Sequence, residues 1–458
     1  MPNTFAYFAL AFFPVISLLL YIKCNTITAT FWTIVGGYIF LPVKVAFDFP
    51  LVPPLGQQSI PAICAIFGCY IIKREKIQFI PRESFERIFV VALLAVPAIT
   101  VLTNTEPFFK GEDLKPGLGL QDILSSLIQI YLEVIPFLLG LSLVHSQRDQ
   151  QRFLKLMVIA GFIYSPLVLF EIRFSPQLHS AIYGFFPHEF KQQVRMDGFR
   201  AVVFIGHGLL VSILYVAVFL CSIQLARQKV RIMNVPALFF ALYFSVVLVL
   251  CKSVGAWVLS VMGLCIFLIG PRFTTKMAAY LSLVVLIYPA LCLFKLFPHD
   301  TVLNILSVFG EDRVASLDFR FFHENMALEH TREKLAFGWG GWGRNRPEGV
   351  VTDGYWIIRL SEFGLTGFTC TFLIILSPVL RACKLIKSAR SGTERTDIAF
   401  AALFTALMAV NQIPNSSMYS WLWFSIGVMA GSVRGIRVPK RSAGMKSQRF
   451  FDAQPSKA

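Results

Sequence analysis

Apolar residues in this chain come in long unbroken runs instead of alternating with polar ones. Stretches such as YFALAFFPVISLLLYI, IFVVALLAVPAITVL, LLVSILYVAVFLCSI, FFALYFSVVLVL and AAYLSLVVLIYPALCLF recur from one end to the other. Each approaches the roughly 20 residues that carry a helix across a bilayer. A membrane barrel would alternate apolar and polar positions within each strand, and these runs do not. The pattern therefore predicts an all-α, polytopic transmembrane helical bundle of 12–13 spans. They are placed near residues 5–22, 27–43, 60–72, 86–103, 121–144, 153–171, 200–224, 235–251, 254–270, 277–297, 353–379, 397–413 and 417–433. Residues 1–433 form the membrane domain, 298–352 a large loop inserted in it, and 434–458 a basic tail expected to be disordered.

Composition agrees with that class. The chain is 56% hydrophobic and 15% charged, against roughly 25% charged for soluble proteins. Twenty-six of the 42 lysines and arginines fall in Lys23, the connections around 73–87, 145–155, 226–231, 271–276 and 380–396, and the tail. Basic connections mark the cytoplasmic side, so the N-terminus is expected outside and the C-terminus inside. Two longer loops, about 172–200 and 298–352, then face the periplasm of a bacterial inner membrane. The first apolar run is too long for a signal peptide and no basic residue precedes it, so it is read as an anchor. All nine cysteines lie in spans or at their edges, which implies no disulfide framework. The tail is read as lipid-facing, and the net charge of +16 needs no nucleic acid to explain it.

The two outer loops carry the chemistry. Residues 313–335, RVASLDFRFFHENMALEHTREKL, fit an amphipathic helix: Leu317, Phe321, Leu328 and Leu335 share a narrow stripe. Arg313, Arg320, His323, His330 and Lys334 share a second arc, suited to lipid phosphates or to an anionic substrate at the membrane surface. The following GWGGWG satisfies the dinucleotide-binding spacing, yet no strand precedes it and it faces away from cytosolic nucleotide. Its glycines instead permit tight turns and close backbone approach. Trp339 and Trp342 are read as interfacial anchors, with stacking on sugar rings as the alternative. The other loop ends in KQQVRMDGFRAVVFIGHGLL, which brings Arg195, Arg200 and His207 to the start of a span. An arginine entering a span usually faces a cavity or a partner, with snorkelling to the interface as the alternative, and its planar fork grips phosphate oxygens as lysine does not.

Arg200 opening a mid-chain span, the turn CKSVGAW, the stretch from Arg320 through HENMALEHTREKLAFGWGGWG, and TDGYWIIRLSEFGLTG follow one another in an order that resembles the O-antigen ligase and polymerase superfamily of bacterial inner membranes. The likeness runs from about residue 195 to 380; earlier spans match only in hydropathy. It implies a GT-C-like glycosyltransferase, inverting and metal-independent, whose donor is a glycan on undecaprenyl pyrophosphate. By that resemblance Arg200 and Arg320 bind the pyrophosphate. Ligases of the family commonly show a His-Asn pair where this chain has Asp353-Gly354, and Arg200 is followed by AVVFIGHG without the usual glycine and proline. These departures favour a polymerase of exopolysaccharide or O-antigen repeat units, with a ligase as the alternative. A flippase and a chain-length regulator are the expected protein partners.

The residue chemistry is compatible with this apart from the resemblance. Glycosyl transfer from a pyrophosphate needs cations for the leaving group and a base for the acceptor proton. Arg195, Arg200, Lys252, Arg320, Arg344 and Arg346 are the cation candidates, and Asp353, Glu324, His207 and His323 the base candidates. Asp353 is preferred as base, although an Asp before a helix also serves as a cap. No D-x-D pair in the outer loops and no H-E-x-x-H suggests a metal site, and no cofactor is expected. The rival class is a transporter of lipid-linked glycan or a small molecule. It draws on Glu133, a carboxylate deep in an apolar run, but lacks a half-chain repeat. A regulatory receptor would need a cytosolic signalling domain that the sequence lacks.

Overall fold

A computed structural model describes residues 1–49, 52–307 and 310–435. The tail beyond 435 and the side chain of Arg313 lie outside the described residues. Each of the expected spans coincides with helix. In chain order these are α1 (Thr4–Lys23), α2 (Thr26–Phe40), α3 (Ser59–Ile72), α4 (Ser84–Leu102), α5 (Leu120–Leu143) and α6 (Gln147–Phe174). A short α7 (Leu178–Tyr183) precedes α8 (Gly208–Arg227), α9 (Ala237–Leu250), α10 (Val254–Ile269) and α11 (Pro271–Leu293). The large loop holds α12 (His299–Leu306) and α13 (Glu311–Arg332). The chain then continues through α14 (Tyr355–Ile375), α15 (Ser377–Leu385), α16 (Gly392–Val410) and α17 (Ser420–Arg434). Seven of these, α1, α4, α5, α6, α8, α11 and α14, are long and apolar enough to cross a membrane. Four shorter apolar helices, α2, α3, α9 and α10, stand beside them. The architecture is that of a polytopic helical membrane protein.

Two corrections concern the loops. The expected span at 200–224 becomes helical only at Gly208, and residues 200–207 run as irregular backbone. Among the described residues, three small antiparallel hairpins also interrupt the all-helical expectation. They are β1 (Ala46–Phe49) with β2 (Val52–Gly56), β3 (Phe108–Lys110) with β4 (Asp113–Lys115), and β5 (Arg231–Ile232) with β6 (Val235–Pro236). They are too short to alternate visibly in sequence.

At the bundle centre α5 and α17 meet almost backbone to backbone. A Cβ on Gly140 would stand 2.6 Å from the Phe424 carbonyl oxygen, and one on Gly427 2.1 Å from that of Phe137. Small residues permit this close approach where lipid provides no hydrophobic drive between helices. The basic connections gather at one end of the bundle. Arg152 reaches Asn25, Thr26 bonds Glu75, and Gln151 bonds Gln228, which bonds Asp397. Arg381 pairs with Glu86, and Arg434 with Glu83. The long loops gather at the other end.

Candidate active site at the loop-rich end

The segment between α7 and α8 is held open by buried acceptors. Glu171, fully buried at the end of α6, accepts from the backbone N–H groups of Val202 and Val203 with one oxygen, both at 2.7 Å, and from Leu178 with the other at 2.8 Å. The Tyr164 hydroxyl accepts from Phe204 N at 3.1 Å, and Gln193 Oε1 from Gly208 N at 3.2 Å. These bonds replace the helical ones that residues 200–207 forgo, as buried backbone requires. They fix where Arg200 and His207 stand.

Arg200, only 9% exposed, donates Nε and Nη2 to the carbonyl of Lys252 at 3.1 and 2.9 Å. Lys252 lies in the turn between α9 and α10 at φ +51°, and its ammonium donates to the Met196 carbonyl at 3.1 Å. Gly198 leaves the room: a Cβ there would stand 2.1 Å from Nζ. Arg195 is exposed on the same turn, its backbone bonded both ways to Gly198.

His207 caps α8, its Nδ1 accepting from Leu209 N at 3.0 Å. With Nδ1 an acceptor, the hydrogen-bond pattern assigns the ring proton to Nε2. Burial, the neighbouring His188 ring at 4.6 Å, and the charges of Arg200, Arg320 and Lys44 push His207 down to about 3. It is therefore a neutral donor near pH 7. Its placement among the base candidates is corrected on that ground. His188 is lowered too, by burial and Lys44, against the raising influence of Glu189 and Asp353. Lys44 and His188 were not among the sequence candidates. Lys44 reaches the cluster because the chain turns at φ +57° after α2 and Val43 packs on Gly206.

From the other side α13 contributes Arg320, whose Nε lies 3.1 Å from Asp353 Oδ2, with the side chains 29% and 44% exposed. Asp353 is not a helix cap. Gly354 holds that position, and the first N–H groups of α14 donate to the carbonyls of Asn415, from Tyr355 at 3.2 Å, and Gln412, from Trp356 at 3.4 Å. His323 Nδ1 accepts from Val351 N at 3.3 Å, two residues from Asp353. Glu324 turns to α11, where the Tyr288 hydroxyl donates to it at 2.8 Å, and burial raises it to about 7.

Other candidates stand elsewhere. Arg344 is 2% exposed and donates to the carbonyls of Pro116 and Glu106, at 2.8 and 3.0 Å. It clamps the loop that carries β3 and β4, which corrects its assignment to substrate. Arg346 is exposed beside Glu362 and Lys110 instead of in the cluster. His330, expected on a basic face, is buried: it stacks on Trp339 at 4.3 Å and bonds the Arg344 carbonyl at 2.8 Å. Trp339 is thus a packed loop residue and not an interfacial anchor, while Trp342 is 49% exposed.

The glycine-rich loop packs against helix backbone. Helix α14 breaks at Gly364, φ +64°, and the loop enters the break. Trp339 N and Gly340 N donate to Ser361 O and Glu362 O at 2.9 Å, and Leu365 N donates to Leu335 O at 2.8 Å. A Cβ on Gly338, φ +72°, would stand 2.5 Å from Glu362 backbone; one on Gly364 would stand 2.3 Å from that of Ala336. Below lies an ion network missed in the sequence. Arg359 pairs with Glu133 and, at 3.5 Å, with Glu362, while Tyr355 donates to Glu133 at 2.7 Å. A lone Arg and a lone Glu in separate apolar runs were the available signal.

An apolar groove of about 430 Å³ runs between α1 and α2, with Phe12, Leu20, Trp32, Phe40, Leu41 and Tyr183 among its lining. Leu41 in its lining is three residues from Lys44 in sequence. Neither protein-family models nor curated proteins give a match to this sequence.

Proposed function

We propose that this protein is a membrane glycosyltransferase that polymerises lipid-linked glycan repeat units, drawing its donor from undecaprenyl pyrophosphate. The observation that carries the reading is the Arg320–Asp353 pair beside Arg200, Lys44 and the neutral His207. That combination offers cations for a pyrophosphate and one carboxylate to take a proton. On donor binding, Arg320 shifts from Asp353 to the phosphate oxygens. The acceptor hydroxyl attacks the anomeric carbon, its proton passes to Asp353, and the carbon–oxygen bond to the pyrophosphate breaks with inversion. Arg200, Lys44 and the Nε2–H of His207 stabilise the charge left on the leaving group. The prenyl tail lies in the groove between α1 and α2. The loop-rich end faces the periplasm of a bacterial inner membrane, and the basic end the cytoplasm.

Purified protein in lipid nanodiscs, given a lipid-linked repeat unit, is expected to yield a ladder of lengthening glycans. Donor left unchanged overturns the reading. Transfer to a lipid A core without lengthening replaces polymerase by ligase. The transporter reading rests on Glu133, whose engagement with Arg359 and Tyr355 disfavours a proton relay at that carboxylate.

A further inference from the structure

A cavity of about 590 Å³ opens at the basic end, far along the bundle from the ion cluster. The first turns of α6 and α16 meet the last turn of α8 there. The volume falls within the roughly 300–1,000 Å³ of small-molecule sites. Arg148 of α6, Arg227 at the end of α8 and Lys229 in the turn beyond stand on its walls, joined by Thr393 and Thr396 of α16. Lys229 reaches the rim because the chain turns there at φ +55°. Arg227 is steadied by donating to the Phe267 carbonyl at 2.5 Å and by lying 4.8 Å over that ring.

Asp397, 4% exposed, also lines the cavity. Its Oδ1 accepts from the amides of Gln224 and Gln228, at 2.6 and 2.5 Å. Gln224 is wholly buried, and its Oε1 finds no hydrogen-bond partner among the described residues. Arg148, Arg227 and Lys229 outnumber the one carboxylate on its walls, which makes the cavity electropositive. The carboxylate adds selectivity: it rewards an anion that also carries an N–H or O–H donor.

We propose that this cavity binds a phosphate ester or diphosphate bearing a hydrogen-bond donor, presented on the basic side of the membrane. The shared chemistry has two sources, a soluble nucleotide-like molecule or an anionic phospholipid headgroup. The site is independent of the glycosyl-transfer reading, because none of its residues belongs to the ion cluster.

The full chain in phosphatidylcholine nanodiscs is titrated with adenosine diphosphate by calorimetry. In a second arm the nanodiscs contain phosphatidylglycerol and no nucleotide, and thermal unfolding is followed. Binding in the first arm identifies a soluble ligand; a raised Tm in the second alone identifies a headgroup. In either case the double variant Arg148→Gln/Lys229→Gln, changed at exposed positions, is expected to lose more than about tenfold in affinity or the whole Tm rise. Lys384→Gln, an exposed change on the same basic connection but outside the cavity lining, is expected to keep both. No response to either probe overturns the proposal. So does a response that survives in the double variant, or one lost equally in Lys384→Gln, which reduces it to general charge on the basic end.

Discussion

The guanidinium of Arg320 and the carboxylate of Asp353, 33 residues apart in sequence, stand 3.1 Å from each other. Arg320 comes from a loop helix, and Asp353 from the extended residues before α14. The pair is half exposed, so its Coulomb energy alone stabilises the fold little, on the order of 1 kcal/mol or less. A weak, accessible pair can exchange partners when an anion arrives. Arg320→Lys keeps the charge and loses the planar fork. It is expected to lower turnover by about 100-fold, as loss of one transition-state donor does, with the protein still inserted. Arg200→Lys is expected to behave likewise. Normal polymer from both variants, compared by gel and by membrane abundance, would reduce the two arginines to structural anchors.

A pH dependence follows from His207. Its folded-state value of about 3 lies below the ordinary 6.5. The unfolded chain therefore binds a proton that the folded chain refuses, and stability falls as pH drops from about 6.5 toward 3. The loss amounts to a few kcal/mol at the order-of-magnitude level. His207→Asn keeps a helix-capping side chain without the titration. Its Tm in detergent between pH 7 and pH 4 is expected to change less than that of the unaltered protein. Parallel curves would remove His207 as the source.

The break in α14 makes a separate prediction. Ala at Gly338 or Gly364 adds a Cβ at positive φ against backbone that cannot move aside. Each change is expected to cost at least about 1–3 kcal/mol. Because the loop that enters the break lies between the helix carrying Arg320 and Asp353, activity should fall further than the Tm alone accounts for. Gly341→Ala, with open space around its Cβ position, serves as the control. Equal behaviour of all three variants would argue against the docked loop.

Much of the architecture was legible in the sequence because long apolar runs have few other uses. The spans, the loop helix near Arg320, and the candidates Arg200, His207 and Asp353 came from one-dimensional pattern. Glu171, Lys44 and His188 did not, since each matters through partners distant in sequence. Glu171 reads as a carboxylate ending a span until Val202 and Val203 fold onto it. Arg344 shows the converse error. A basic residue in a glycine-rich loop resembles a ligand contact, yet here carbonyls brought in by Glu106 and Pro116 take up both of its terminal nitrogens.

The buried ions can be tested by pairwise replacement. Arg359→Leu leaves Glu133 and Glu362 without their cation, and loss of one partner of a buried pair costs about 3–5 kcal/mol. Replacing Glu133 by Leu as well should restore part of that stability, measured as Tm in a double-mutant cycle. Strict additivity of the two losses would mean that the pair is not coupled.

Release of undecaprenyl pyrophosphate by purified protein in a bilayer decides whether the ion cluster performs the transfer. Wild-type protein is expected to release one molecule for each repeat unit added to the glycan. Asp353→Asn keeps the shape and removes the basicity, so it should retain the lipid-linked donor while release falls by about 100-fold or more. Release and elongation at the wild-type rate from Asp353→Asn, or none from the wild type, would contradict the assignment of Asp353 and Arg320 to the reaction.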